Sequence, residues 1–236
     1  MNLVLLDDGD FVAPDRVLLR GRRGAHVRAV HRAKVGRELL VGRWRGAVGR
    51  GRVTRMEGDE IELVVTLDGA PPPKLPMTVL LALPRPKTLR RALQAVATLG
   101  VARLFLVNSW RVEKSFWKSK SLAAAAIERE LRLGLEQGKE TLPPEVETRR
   151  LLKPFCDREL DLIAAGSRRL VAHPGAATPC PHAVAGPVTL LLGPEKSFIE
   201  RELDLFTRHG FEAVTLGPRP LRVEQALPAL VARLSS

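Results

Sequence analysis

From Met77 onward, continuous apolar runs alternate with amphipathic stretches. MTVLLALP (77–84) is apolar throughout, as strands buried on both faces tend to be. PKTLRRALQAVATLG follows with helical spacing, Pro86 near its start and Gly100 at its end, which predicts a helix. VARLFLVN predicts a second strand. SLAAAAIERELRLGLEQGK, from Ser121, predicts a long helix. EVETRRLL reads as a weak strand and KPFCDRELDLIAAG as a helix. RRLVAHP, VTLLLGP, FIERELDLFTRHG, EAVTLGP and LRVEQALPALVARL continue the alternation, with a kink expected at Pro228. The pattern predicts an α/β fold with a mostly parallel sheet.

The first 70 residues have a different grain. RVLLR (16–20), RELLVGRW (37–44), GAVGRGRVTRM (46–56) and EIELVVTL (60–67) are short runs separated by glycine turns, as in a small β-barrel. AHVRAVHRAK, Ala25 to Lys34, predicts a short helix between the first two. DGAPPPKLP, Asp68 to Pro76, is a proline-rich break. It separates a domain at 1–70 from one at 71–236.

Charge sharpens the picture. Lys and Arg number 38 against 26 Asp and Glu, a net charge of +12, and arginine far outnumbers lysine. Such a surplus favours a polyanionic partner, most simply a nucleic acid. Aromatics make up 4% and Tyr is absent, so phosphate contact by arginine fits better than a surface built mainly of stacked bases. Arg22, Arg23, Arg28, Arg32, Arg43 and Arg45 are the candidate RNA or DNA contacts in the first domain; a merely solvated face is the other reading. Cys156 and Cys180 form no CxxC, and with His173 and His182 they match no zinc spacing, so no metal is expected. No apolar run approaches the ~20 residues of a membrane span. The N-terminus carries no signal-peptide pattern, so a cytoplasmic location is expected.

The candidate chemistry lies where apolar runs stop: at Ala172-His173-Pro174, at Leu192-Gly193-Pro194 and at Leu216-Gly217-Pro218. Open α/β sheets bind ligands at strand carboxyl ends. GxxxxGK[ST], a strand-linked GxGxxG and GxSxG are absent. A nucleoside pocket and a set of ordinary tight turns both remain open on this reading.

GPEKSFIERELDLFTRHGFEAVTLGPRPLRVEQA resembles the C-terminal signature of the RsmE family, SPOUT-superfamily methyltransferases of small-subunit ribosomal RNA. AHVRAVHRAKVG, LGVARLFLVNSWR and EQGKETLPPEV are similar to further family segments, in the same order. The chain departs from the pattern at Lys196, Ser197, Val223 and Gln225, and at Ala95 and Thr98. The resemblance implies a PUA-like barrel followed by a SPOUT-type methyltransferase domain with a trefoil knot. It implies S-adenosyl-L-methionine as cofactor, a homodimer, and methylation of uracil N3 in 16S rRNA, in the small ribosomal subunit. Carried over by position, it implies a cofactor pocket of Ala172, His173, Pro174, Leu192, Gly193, Pro194, Glu195, Leu216, Gly217, Pro218, Leu221 and Arg222.

Uracil N3 has no free lone pair until its proton departs, so a base is needed. Glu195 and Glu224 are the candidates. An arginine beside the uracil carbonyls stabilises the developing anion; Arg222 is the first choice and Arg219 the second. The rival readings are a related enzyme with another RNA nucleotide as target, and a non-catalytic RNA-binding protein of ribosome assembly.

Overall fold

Residues 2–29, 33–58 and 60–235 are described by the computed structural model. The chain divides into two units, Met1–Pro73 with Leu135–Pro143, and Lys74–Gly134 with Pro144–Ser236.

The first unit contains β1 (Val4–Leu6), β2 (Phe11–Ala13), β3 (Arg16–Leu19), α1 (Gly21–Ala29), β4 (Glu38–Arg43), β5 (Val48–Glu57) and β6 (Glu60–Gly69). The sheet order is β1-β4-β5-β6-β3-β2, with β1 parallel to β4 and the other pairs antiparallel. Period-two alternation sends Val17, Leu19, Leu39, Val41, Ile61, Leu63 and Val65 into one core, with Val27 of α1 beside them. Burying each large side chain contributes roughly 1.5–3 kcal/mol. β1 and β2 escaped the sequence reading because three residues cannot display an alternation. The predicted helix at 25–34 is also displaced: α1 begins at Gly21, and Ala33 and Lys34 are not helical. Glycines at 21 and 24 hid its first turn, because glycine is a poor helix former. Residues 30–32, and Arg32 with them, lie outside the described residues.

The second unit holds β7 (Leu75–Ala82), α2 (Pro86–Thr98), β8 (Val101–Val107), α3 (Ala124–Gly138) up to Gly134, β9 (Glu145–Arg149), α4 (Leu152–Phe155), α5 (Asp161–Ile163), β10 (Arg168–Ala172), β11 (Thr178–Pro179), β12 (Val188–Leu192), α6 (Glu200–Arg208), β13 (Glu212–Thr215) and α7 (Val223–Ser235). A π-helical stretch, Cys156–Leu160, joins α4 to α5. The sheet order is β11-β13-β10-β12-β7-β8-β9, and its pairs are parallel. β12 is buried at every position, as a central parallel strand must be when both faces are covered. α2 buries Leu89, Ala92, Leu93 and Val96 on one stripe.

The long helix predicted from Ser121 starts at Ala124, because Lys120–Leu122 form a 3-10 turn that Ser119 caps by accepting from the Ser121 amide. α7 runs unbroken through Pro228. α2 and α3 meet at Gly134, where a β-carbon would collide with the Gln94 carbonyl and come within 2.7 Å of the Ala97 side chain. Thr98 Oγ1 donates to the Gly134 carbonyl at 3.0 Å, and Gln94 Nε2 donates to Glu130 Oε2 at 2.7 Å. Gly134→Ala is therefore expected to cost about 1–3 kcal/mol by overpacking, despite alanine's better helix propensity. Urea unfolding followed by circular dichroism checks this; an unchanged midpoint would contradict the close approach.

Candidate active site

Register builds the site. Ala172 of β10 lies opposite Leu192 of β12 on one side and Val214 of β13 on the other, and Leu192 lies opposite Leu81 of β7. The four strands therefore end level, and their following turns converge at one edge of the sheet. Such an edge offers backbone groups that no ladder consumes.

A cavity of about 750 Å³ sits at that edge. Ala172, His173, Pro174, Leu192, Gly193, Pro194, Glu195, Leu216, Gly217, Leu221 and Arg222 line it, as do Glu224 and Arg219. Pro218, grouped with them in the sequence reading, is exposed and is not part of the wall. The sequence reading missed Arg85, Lys87 and Arg91, which also line it. The signal was present: β7 is followed by Leu83-Pro84-Arg85, the same strand-then-proline pattern found after the other three strands.

Local chemistry shapes the turns. Gly217 has φ +118°, which favours glycine, and Thr215 Oγ1 bonds both its amide and its carbonyl at 3.2 Å. The Gly175 amide donates to His173 Nδ1 at 3.2 Å. That bond makes Nδ1 an acceptor and fixes the ring against the turn.

Both candidate carboxylates reach the cavity already paired. Glu195 Oε1 accepts from the Arg85 amide at 3.1 Å and from Arg85 Nε at 3.2 Å. Glu224 Oε1 accepts from Arg91 Nη1 at 3.1 Å. The second oxygen of each has no protein partner among the described residues. Arg222 is exposed; its amide donates to Gln225 Oε1 at 3.2 Å, while its guanidinium has no partner among the described residues. The cavity thus combines apolar walls at Leu192, Val214 and Leu230, cations at its rim and acceptors within. It suits an amphipathic ligand with a flat apolar part and charged groups.

The arginines of the first unit are mostly spent on acidic neighbours. Arg23 is the most fully engaged of the candidates. It donates to both oxygens of Asp10, at 2.5 and 2.7 Å, and to the Leu5 carbonyl. Arg22 pairs with buried Glu136 through two bonds. Arg43 pairs with Asp8 at 2.9 Å and lies 5.6 Å from the centre of the Phe11 ring. Arg45 lies 5.7 Å from the centre of the Trp44 ring. Arg28 is exposed, with no partner among the described residues.

Both cysteines are buried. Burial pushes the Cys156 thiol up to about 12 and raises that of Cys180, which keeps both protonated and unreactive. Among the described residues no three His, Cys, Asp or Glu side chains are grouped to hold a metal ion, and no helix is long and apolar enough to cross a membrane.

Fold and cavity define a parallel α/β protein with a ligand site at its strand carboxyl ends, and a family model described as an RNA methyltransferase domain matches residues 71–235. Ribosomal RNA small subunit methyltransferase E of Mycobacterium bovis is 30% identical over 222 residues, covering 87% of this chain and 80% of the relative. The protein of the same name from Treponema pallidum is 27% identical over 243 residues, covering 98% and 90%. A solved ribosomal RNA small subunit methyltransferase E from Neisseria gonorrhoeae, bound to S-adenosyl methionine, superposes with a TM-score of 0.72 at 22% identity, over 98% of this chain and 95% of that one. The chain belongs to the ribosomal RNA small subunit methyltransferase E family.

Proposed function

We propose that this protein transfers a methyl group from S-adenosyl-L-methionine to N3 of a uridine in 16S rRNA of the small ribosomal subunit. The observation that carries the reading is the level ending of β7, β12, β10 and β13 around one cavity, in a chain of this family. The cavity's volume falls within the roughly 300–1,000 Å³ typical of small-molecule sites. Its groups fit the cofactor. Leu192, Val214 and Leu230 offer an apolar wall to an adenine, and the turns at 172–174, 192–195 and 216–222 supply backbone groups for its edge. Arg85, Lys87 and Arg91 suit a carboxylate, and Glu195 and Glu224 suit positive charge. When bound, the cofactor supplies an activated methyl group.

The chain's own part is positioning and proton removal. The free oxygen of Glu195 or Glu224 takes the N3 proton, and the Arg222 guanidinium stabilises charge developing on the uracil carbonyls. N3 lies on the base-pairing edge, so the target is unpaired or extruded when it reacts.

On this reading residues 1–70 form a PUA-like RNA-binding domain and 71–236 a SPOUT domain with a trefoil knot. The chain's course supports the knot: after β12 it crosses to β13, beyond β10, and α7 then packs against α2, which follows β7. A homodimer acting in the cytoplasm, where ribosomes are modified, completes the proposal. Among the six candidate arginines of the first unit, Arg28 and Arg45 stay available for phosphates.

Transfer from labelled S-adenosyl-L-methionine to small subunits lacking the modification, with nucleotide mapping, tests it. Label on uracil N3 is expected. Label elsewhere would reassign the target, and cofactor binding without transfer would favour a non-catalytic role.

A further inference from the structure

The charge surplus is unevenly shared. The first unit carries 14 Lys and Arg against 12 Asp and Glu, and the second carries 24 against 14. The polyanion-binding excess therefore belongs to the unit with the cavity. Part of it lies in residues 109–122, the strap that follows β8, with four cations against one carboxylate, Glu113.

The strap is held firmly from within. Glu202 of α6 accepts from Ser109 Oγ at 3.3 Å and from the Trp110 amide at 2.8 Å. Arg111 donates to the Lys196 carbonyl in the turn after β12, beside the cavity. Trp117 Nε1 donates to Asn108 Oδ1 at 3.0 Å, and Arg150 lies 5.6 Å from the centre of the Trp117 ring. One tryptophan is thus used to build the strap. The other, Trp110, is 80% exposed and fixed at its backbone, so its ring does nothing for the fold. Lys114, Lys118 and Lys120 are exposed and have no acidic partner among the described residues. Lys87, at the cavity wall, is likewise exposed and without an acidic partner.

We propose that this strap is a docking element for single-stranded RNA, with Trp110 stacking on a nucleobase and Lys114, Lys118 and Lys120 meeting phosphates. The proposal rests on the RNA-methyltransferase reading and adds to it where the strand flanking the target is held. An exposed aromatic ring on the same strap as uncompensated cations matches single-stranded nucleic acid, whose bases offer flat surfaces and whose backbone offers charge. The tie through Arg111 and Glu202 sets the strap next to the turn that shapes the cavity. Bases held there flank one presented to it.

The test is binding of labelled poly(U) to the full chain, alongside cofactor affinity, molar mass and methyl transfer. Trp110→Ala is expected to weaken poly(U) binding by about tenfold, the scale of losing one stacked base, and Trp110→Phe to restore most of it. Lys114→Ala with Lys118→Ala and Lys120→Ala should lower the salt dependence, the slope of log K against log salt, by about 2 for single strands. Cofactor affinity stays unchanged in each. Unaltered poly(U) binding in the Trp110→Ala variant overturns the proposal. So does a fall from dimer to monomer with RNA affinity intact, which would make the ring a contact between copies. If the wild-type protein binds poly(U) through Trp110 yet methylates no small subunit, the enzymatic reading fails and the strap stands.

Discussion

Arg222→Ala is expected to lower kcat for methyl transfer by about 10²–10³-fold, the loss seen when one donor to a developing oxyanion is removed. The side chain lines the cavity, is exposed and pairs with no acidic group among the described residues. Its removal leaves no buried group unsatisfied, so the thermal midpoint should hold. That separates it from Arg85 and Arg91, whose loss would strip Glu195 and Glu224 of their partners. Arg222→Lys keeps the charge but loses the planar fork, so it should recover only part of the rate. Cofactor affinity by calorimetry, set beside single-turnover kinetics, decides the matter. If weakened cofactor binding accounts for the whole loss, Arg222 is a binding residue and not a stabiliser of the transition state.

Glu202→Ala should destabilise the protein by about 3 kcal/mol, since buried donors left without an acceptor cost about 1–3 kcal/mol each. Glu202 is only 6% exposed. It accepts from the Ile199 amide at 3.0 Å, at the start of α6, and from Trp110 and Ser109 on the strap. A carboxylate in the first helical turn is also favoured by the helix dipole. Alanine leaves two amides and a hydroxyl without their acceptor and frees the strap from α6. Glu202→Gln retains an acceptor and should lose less. Urea midpoints of the two variants give the comparison. Poly(U) affinity should fall in the alanine variant even at temperatures where it is fully folded, because the strap then loses its anchor. An alanine variant as stable as the parent would remove Glu202 from this role.

Much of this was visible in the amino-acid order. Periodicity determines which residues an element buries, so the apolar runs at 77–82 and 188–192 and the stripe of α2 could be read before any fold was known. The turns at 172–174, 192–194 and 216–218 stood out for the same reason, since strands that stop at Gly or Pro stop visibly. Only the tertiary structure made those turns into one site. The neighbour relations of β13, β10, β12 and β7 bring their ends level, and those relations span more than a hundred residues. Arg85, Lys87 and Arg91 joined the cavity by the same pairing. Charge behaved in the opposite way. Its total was plain from composition, but a side chain's availability depends on its neighbours in space. Arg23 was absorbed by Asp10 and Arg22 by Glu136, 114 residues away, while Lys114, Lys118 and Lys120 were left to solvent. Local pattern encodes burial because a residue's face follows from its own helix or strand; ion pairing and strand order follow from contacts that no local window contains.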